Sequence, residues 1–279
     1  MNNRIFSIIK LIRSAAALAA LTGLVSFSAL AQSEKPKPQP QPSAPVIEEK
    51  VEKILQRAVT AMGGSAYLNV RSSVGRGLFT PFHEGASGLP STFIDYIIYP
   101  DKERTEFKGG GNRVIQTNTG ATGWLYDGAA KTIKDMTPAQ VADFHLALRT
   151  NVDNLLRGLW RKEGAQLAYA GRREAGLAKR NETVRVTYPD GLTVDFEFSA
   201  QDGLPAKVIY KHTNTEGEEI AEEDRLAQFV TNSGIVSPFV IDHYSANIQT
   251  SRINYQSIEF NTEIADTLFA RPASVKMVK

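Results

Sequence analysis

From residue 70 onward, apolar and polar side chains alternate with a period of two, which narrows the folds that this chain can adopt. Successive side chains of a β-strand point to opposite faces, so each alternating run predicts a strand with one buried face. Turn motifs such as Pro100-Asp101 and Pro189-Asp190-Gly191 separate neighbouring runs, which favours antiparallel strands joined by short connections. The runs are residues 70–80, 91–99, 103–107, 113–117, 123–126, 182–188, 192–199, 207–212, 226–231, 238–244 and 252–260.

Two segments have helical spacing instead. Apolar residues of segment 46–62 recur mainly at intervals of three and four, and Gly63-Gly64 follows at the point where a left-handed backbone would end the helix. Thr137-Pro138-Ala139-Gln140 has the sequence of a capping box, and an apolar stripe continues to about residue 160, with Asn151 as a second cap. We expect the helices of this second segment to lie against the sheet.

The N-terminus has the three parts of a secretory signal peptide. Arg4, Lys10 and Arg13 form a basic region, an apolar stretch runs to about residue 30, and Ala29-Leu30-Ala31 has the small-residue pattern of a cleavage site. We predict a signal peptide over residues 1–31 that is cleaved after Ala31, a proline-rich linker over 32–45 and a single domain over 46–279. Export of this kind predicts a periplasmic location.

The charge and cysteine content narrow the class of partner. The whole chain has 32 basic and 30 acidic residues, and the predicted signal removes three basic and no acidic residues, which leaves a net charge of −1. Such a balance does not favour nucleic acid. The chain has no cysteine, yet the 248 residues that remain of 279 after the 31-residue signal can bury a core without disulfides. We expect a soluble monomer.

No motif in the sequence points to catalysis, a metal or a cofactor. The four histidines, His83, His145, His212 and His243, lie on different predicted elements, and none has the H-E-x-x-H spacing of a zinc hydrolase. The Gly-x-Ser-x-Gly motif of a serine nucleophile is also absent. We therefore expect a protein that is not an enzyme. Carboxylates or two histidines that converge in a cleft would restore a hydrolase as an alternative.

Two segments carry strong net charge. Residues 157–180 have seven basic and two acidic side chains (+5), and residues 216–225 have one basic and six acidic side chains (−5). One interpretation is a docking surface for an envelope protein or for anionic lipid headgroups. The other interpretation is a pair of solvated loops, which is the more common role of such runs.

The predicted strand at residues 91–99 is apolar on both faces. Phe93, Ile97 and Tyr99 share one face, and Ile94, Tyr96 and Ile98 share the other. A strand of this kind must be covered on both sides, either by the protein's own helices or by a ligand. We predict an apolar ligand cavity between this strand and the helical segment. Its predicted lining is Ile94, Tyr96, Ile98, Phe144, Leu148 and Leu155.

The order of short motifs resembles a family of exported proteins, the outer-membrane lipoprotein-sorting (LolA/LolB/RseB-like) superfamily. The resemblance spans roughly residues 46–272. The motifs, in chain order, are Ala61-Met62-Gly63-Gly64, Gly75-Arg76-Gly77, Tyr99-Pro100-Asp101-Lys102-Glu103-Arg104, Gly123-Trp124, Asp195-Phe196-Glu197-Phe198, Gly203-Leu204-Pro205-Ala206-Lys207, Gly234-Ile235-Val236-Ser237-Pro238 and Phe269-Ala270-Arg271-Pro272.

The resemblance implies a mainly β, α+β fold, in which an incomplete antiparallel β-barrel has helices over its concave face. In such proteins the covered hollow receives acyl chains, and Arg104 resembles a basic residue that they use near their lid. The expected function is therefore a non-catalytic periplasmic carrier of lipid or acylated protein. The alternative is an envelope sensor or scaffold that uses the same fold without carrying a ligand.

Overall fold

The computed structural model describes residues 48–213 and 217–278. The predicted signal peptide and proline-rich linker lie outside the described residues, so both stay predictions. Within the described ranges, no helix is both long enough and apolar enough to cross a membrane.

A single antiparallel sheet of 14 strands dominates the fold. The strands are β1 (Ser72–His83), β2 (Ala86–Ser87), β3 (Ser91–Ile98), β4 (Lys102–Gly109), β5 (Asn112–Thr119), β6 (Gly123–Asp127), β7 (Thr132–Asp135), β8 (Gln166–Glu174), β9 (Arg180–Thr187), β10 (Thr193–Ser199), β11 (Pro205–Thr213), β12 (Glu219–Asn232), β13 (Ile235–Ser245) and β14 (Ile248–Phe260).

The strand order shows how the sheet curves without closing. It runs β7-β6-β5-β4-β3-β1-β14-β13-β12-β11-β10-β9-β8, and β2 pairs only with β1. Within each half, β3–β7 and β8–β14, neighbours in the chain are neighbours in the sheet, and β1 lies between β3 and β14 and so links the two halves. The edges are β7 and β8, which do not pair with each other, so the sheet is an incomplete barrel.

Within residues 48–213 and 217–278, four α-helices accompany the sheet, and both predicted helical signals are confirmed. The helices are α1 (Glu49–Ala61), α2 (Ser65–Leu68), α3 (Pro138–Arg149) and α4 (Val152–Leu156). After α1, Gly63 has φ +118°, and a Cβ at that position would lie 2.3 Å from the Gly234 carbonyl oxygen, so only glycine fits. At the start of α3, the Thr137 amide donates to Gln140 Oε1 at 2.9 Å and the Gln140 amide donates to Thr137 Oγ1, which is the predicted capping box.

The helices cover one face of the sheet, which we call the inner face; the opposite one is the outer face. The main core fills the β8–β11 end of the inner face, where α1 and α4 bury Val51, Ala58 and Leu155 against strand residues such as Val184 and Phe196. The expected mainly β fold, with helices over the concave face of a curved sheet, is therefore confirmed. Burial of this apolar area is what holds the helices to the sheet.

On the outer face, a C-terminal segment covers β4–β6. The indole Nε1 of Trp124 donates to the Phe269 carbonyl at 2.9 Å, and both side chains are buried. The two charged segments also differ from the solvated loops that the sequence allows, because residues 166–174 form β8 and residues 219–232 form β12. The acidic segment therefore places alternate side chains on the two faces of the sheet.

Candidate functional site

A cavity of about 580 Å³ lies between the inner face of the sheet and the α3–α4 pair. Its floor comes from β1, β3, β4 and β11–β14, and its roof includes Leu146, Ala147 and Val152 of the two helices. Ligand pockets in proteins commonly have volumes of roughly 300–1,000 Å³. The cavity is therefore large enough for a small molecule or for part of a lipid.

The register of the strands explains which side chains reach the cavity. Gly75 of β1 lies directly between Asp95 of β3 and Ile258 of β14 in the ladder, so all three belong to the inner face. A Cβ on Gly75 would lie 2.6 Å from the ring of Tyr255, so glycine lets that ring pack against the β1 backbone. The same pairing puts Ile97, Ile253 and Ile241 along the floor. The central floor is consequently apolar.

At the β3–β4 side of the cavity, Asp95 and Glu103 form a pair of carboxyl groups. The hydroxyl of Thr105 lies 2.8 Å from Asp95 Oδ1 and 3.3 Å from Glu103 Oε1. Burial raises the pKa of Asp95 well above its ordinary value, and the charge of Glu103 adds to that rise. Burial also raises the pKa of Glu103. Among the described residues, no lysine or arginine lines this cavity to offset the two charges.

At the β11–β13 side, a second group of acids has histidine partners. His243 Nδ1 donates to Asp224 Oδ1 at 2.5 Å, and Ser245 Oγ donates to Glu222 Oε1 at 2.8 Å. His212 Nδ1 lies 3.6 Å from Glu222 Oε1. Burial by itself lowers the pKa of His243. The Asp224 carboxylate and its hydrogen bond have the opposite and larger effect, so the pKa of His243 is raised overall. Burial raises the pKa of Glu222.

The roof helices contribute two acids to the cavity, Asp143 of α3 and Asp153 of α4, of which Asp153 is well satisfied. Asp153 of α4 accepts hydrogen bonds from the hydroxyls of Tyr67, at 2.5 Å, and Tyr99, at 2.8 Å. The guanidinium of Arg157 lies over both tyrosine rings, 5.1 Å and 4.3 Å from their centres. This network ties α4 to β3 and to the segment after α1, so it fixes one end of the roof.

The six predicted cavity residues lie beside the cavity, and none of them forms its wall. Ile94, Tyr96 and Ile98 point to the outer face of β3, where Ile94 borders a separate cavity of about 230 Å³. Phe144 and Leu155 are buried in the helical layer, and Leu148 of α3 is partly buried. The cavity wall on β3 is formed instead by the other face, with Asp95, Ile97 and Tyr99. Contact of the six residues with a ligand stays a prediction.

Arg104 lies on the outer face, away from the roof helices. It is only 4% exposed, and it donates to Glu106 Oε1 through Nε at 3.0 Å and through Nη2 at 2.7 Å. It also donates to the Leu268 carbonyl at 2.7 Å and lies over the ring of Trp124. Arg104 therefore attaches the C-terminal segment to the sheet, and a role at a lid stays a prediction.

Sequence reasoning missed the acids and histidines of the cavity. Asp95 interrupts an otherwise apolar face of its strand, and this break in the pattern is the sequence feature that could have indicated a polar site there. Glu222 and Asp224 belong to the acidic segment, and only its position in β12 sends them inward. Across the described residues, no group of three or more histidine, aspartate or glutamate side chains is placed to hold a metal ion.

The curved sheet and its roofed cavity define a class of protein that is known from solved structures. A DUF1329 family protein from Desulfovibrio piger matches 79% of this chain and 97% of its own length, with 12% identity and a TM-score of 0.56. An outer membrane lipoprotein-sorting protein domain from Vibrio parahaemolyticus matches with 13% identity, 78% and 96% coverage and a TM-score of 0.51. A LolA superfamily protein from Nitrosomonas europaea matches with 11% identity, 79% and 97% coverage and a TM-score of 0.53.

These matches confirm the expected resemblance at the level of the fold, which is the LolA-like fold. At identities this low they show the fold alone. No family model matches the sequence, and no curated protein matches it.

Proposed function

We propose that this protein is an exported, periplasmic carrier or binding protein for an apolar ligand, namely lipid or acylated protein. The observation that carries the proposal is the cavity of about 580 Å³ between the sheet and the helical roof. Its isoleucine-rich floor would shield acyl carbons from water, and each buried CH₂ group contributes about 0.8 kcal/mol. The LolA-like fold of the neighbours and the predicted signal peptide support the same reading.

The first test identifies the ligand directly. We expect the protein, purified from a host that exports it, to carry lipid that mass spectrometry detects after extraction. The matched variants are Ile97→Trp and Ile98→Trp, because these two neighbours are both partly buried and lie on opposite faces of β3. Ile97→Trp fills the cavity and should remove most of the bound lipid, whereas Ile98→Trp should retain it.

The same pair of variants decides which face of β3 contacts the ligand. Loss of lipid in Ile98→Trp alone would favour the contact set predicted from the sequence, which includes Ile94, Tyr96 and Ile98. Absence of lipid from the unmodified protein, together with no uptake from added vesicles, would reject the carrier function.

An envelope sensor or scaffold is the alternative use of this fold. Its contact surface would be the charged segments, and many of their side chains already have partners within the chain. Examples are Arg172 with Glu182 at 2.6 Å and Lys211 with Glu219 at 2.5 Å. A partner that co-purifies with the protein and dissociates at high salt, in the absence of bound lipid, would favour this alternative.

Acid–base catalysis is a second candidate function, because carboxylates and histidines converge in the cavity. The His243–Asp224 pair has the geometry of a base and its orienting carboxylate. Within the described residues, no hydroxyl group hydrogen-bonds to the remaining ring nitrogen of His243, so the arrangement lacks an activated nucleophile. Turnover of ester or glycoside substrates that disappears in His243→Gln would establish the activity.

A further inference from the structure

Asp95, which is buried, and Glu103, which is partly buried, form a pair of acids without a basic partner in the cavity. Asp95 is 8% exposed, and its carboxylate accepts a hydrogen bond from the Thr105 hydroxyl. A threonine hydroxyl has one proton, so it can neutralise neither carboxylate and can donate fully to only one of them. Buried carboxylates normally have a cation, several donors or a proton of their own. In the cavity, the protein offers this pair no cation and few donors.

A third acceptor lies next to the pair. Asn118 of β5 is directly opposite Glu103 in the β4–β5 ladder, so both side chains occupy the inner face. Asn118 is only 2% exposed, and its Oδ1 atom accepts no hydrogen bond. An unpartnered buried carbonyl of this kind costs free energy, which a donor from outside the protein would recover. Asp95 and Glu103 in the cavity wall, with Asn118 on the neighbouring strand, thus offer more acceptors than the Thr105 hydroxyl can satisfy.

We propose that Asp95, Glu103 and Asn118 bind the protonated amine of an amphiphilic ligand whose apolar part occupies the isoleucine-lined floor of the cavity. This inference rests on the proposed function and specifies its ligand class. A primary ammonium has three donors and a positive charge, which matches three acceptors of which two are acids. A free carboxylate or phosphate headgroup at this position would meet like charge instead.

The aromatic side chain beside the acids fits the same headgroup. Tyr255 packs against Gly75, the ladder neighbour of Asp95, and its ring is held by edge contacts to Phe93 and Phe239, with ring centres 5.3 Å and 6.4 Å apart. A tyrosine face attracts a cation through its ring electrons. A calcium ion would need six to eight oxygen ligands, and the two carboxylates and one amide of this group have five side-chain oxygens in all.

The protonation of Asp95 and Glu103 in the ligand-free protein gives a second way to detect binding of an amine. Burial raises the pKa of both carboxyl groups, so the empty cavity favours the protonated forms. An ammonium group favours the ionised forms, so its binding must release protons from the pair. A neutral ligand of the same length leaves the protonation unchanged.

The test compares three amphiphiles of equal chain length, dodecylamine, dodecanol and dodecanoate, by calorimetric titration of the delipidated full protein below their micelle concentrations. We expect dodecylamine to bind about tenfold tighter than dodecanol, and dodecanoate to bind more weakly than both. Titration in two buffers of different ionisation enthalpy should show proton release for dodecylamine alone. The double variant Asp95→Asn, Glu103→Gln should bind dodecylamine and dodecanol equally and release no proton.

The outcomes separate this proposal from the carrier function. If no amphiphile binds, the proposed function fails together with this inference. If dodecanol binds and dodecylamine has no advantage in the unmodified protein, only the amine site is rejected. An advantage that persists in the double variant also rejects it, because the amine would then be held elsewhere. Tight binding of calcium chloride alone, lost in the double variant, would assign the group to an inorganic cation and overturn the proposal.

Discussion

Asp95 and Asp195 are equally buried strand residues, but they lie on opposite faces of one sheet. Each is 8% exposed. On the outer face, Asp195 accepts hydrogen bonds from Arg185 Nε at 2.6 Å and Nη2 at 2.8 Å, and also from Arg173. Burial by itself raises the pKa of Asp195. The two arginines have the opposite and larger effect, so the pKa of Asp195 is below its usual value. Asp95 has no such partner, and its pKa is raised.

The difference shows that the buried acids of the outer face are paired with arginine, whereas those that line the cavity on the inner face are not. The outer face pairs its acids with arginine, as in Asp242 with Arg252 and Glu259 with Arg76, both at 2.6 Å. The inner face leaves acids inside a cavity with only hydroxyl and histidine partners. Residues that cost stability where a ligand could bind are typical of functional sites.

The largest effect that we expect from this comparison is at Asp195. Asp195→Asn removes the charge that two arginines share, so it should lower the free energy of unfolding by about 2 kcal/mol at neutral pH. Because the folded pKa is lowered, this stabilisation is present above the pKa of an unfolded aspartate, about 3.9, and is lost as the pH falls through the folded pKa. Urea denaturation at several pH values measures it. A variant as stable as the unmodified protein would show that the arginine partners of Asp195 do not stabilise the fold.

The same substitution at Asp95 should have the opposite sign. Asp95→Asn removes a buried carboxylate without a basic partner, and we expect it to raise the free energy of unfolding by about 1 kcal/mol at neutral pH. The raised folded pKa means that the unmodified protein loses stability as the pH rises above about 3.9 toward the folded pKa. The gain should therefore vanish in acid. A loss of stability at neutral pH would show that Asp95 has a structural role.

The smallest expected effect concerns the acids that do have histidine partners. The folded pKa of His243 is raised, so its pairing with Asp224 stabilises the protein fully below about pH 6.5 and stops doing so as the pH rises through the folded pKa. Solvent screens the pair in part, so the contribution is about 1 kcal/mol or less. The unmodified protein should therefore lose its advantage over His243→Gln in thermal melts at rising pH. A constant difference between the two proteins would contradict this assignment.

Local signals predicted much of the fold. The capping box at Thr137, the glycine pair after α1 and the turn at Pro189-Asp190-Gly191 all lie where the sequence placed them, because each depends on a few adjacent residues. The charged segments were harder to interpret. Net charge suggested loops, but the strand β12 pairs Glu223 with Lys207 and Arg225 on the outer face while Glu222 and Asp224 turn inward.

The cavity wall shows the limit of the sequence more sharply. The alternation in residues 91–99 correctly indicated a strand, yet apolar side chains on both of its faces do not tell which face lines the cavity. Whether Ile97 or Ile98 points inward depends on the pairing of β3 with β1 and on the direction of the sheet's curvature. Neither of these is a local property of the strand.

From the sequence alone, antiparallel strands and helical segments that lie against them could be predicted, because hydrophobic period, caps and turns act over a few residues; the curvature of the sheet was implied by the family resemblance. The position of Asp95 and Glu103 in the wall of one cavity, and of Asp195 beside two arginines on the outer face, follows only from the tertiary structure. The physical reason is that register across distant strands, and not composition, selects the neighbours of each buried charge.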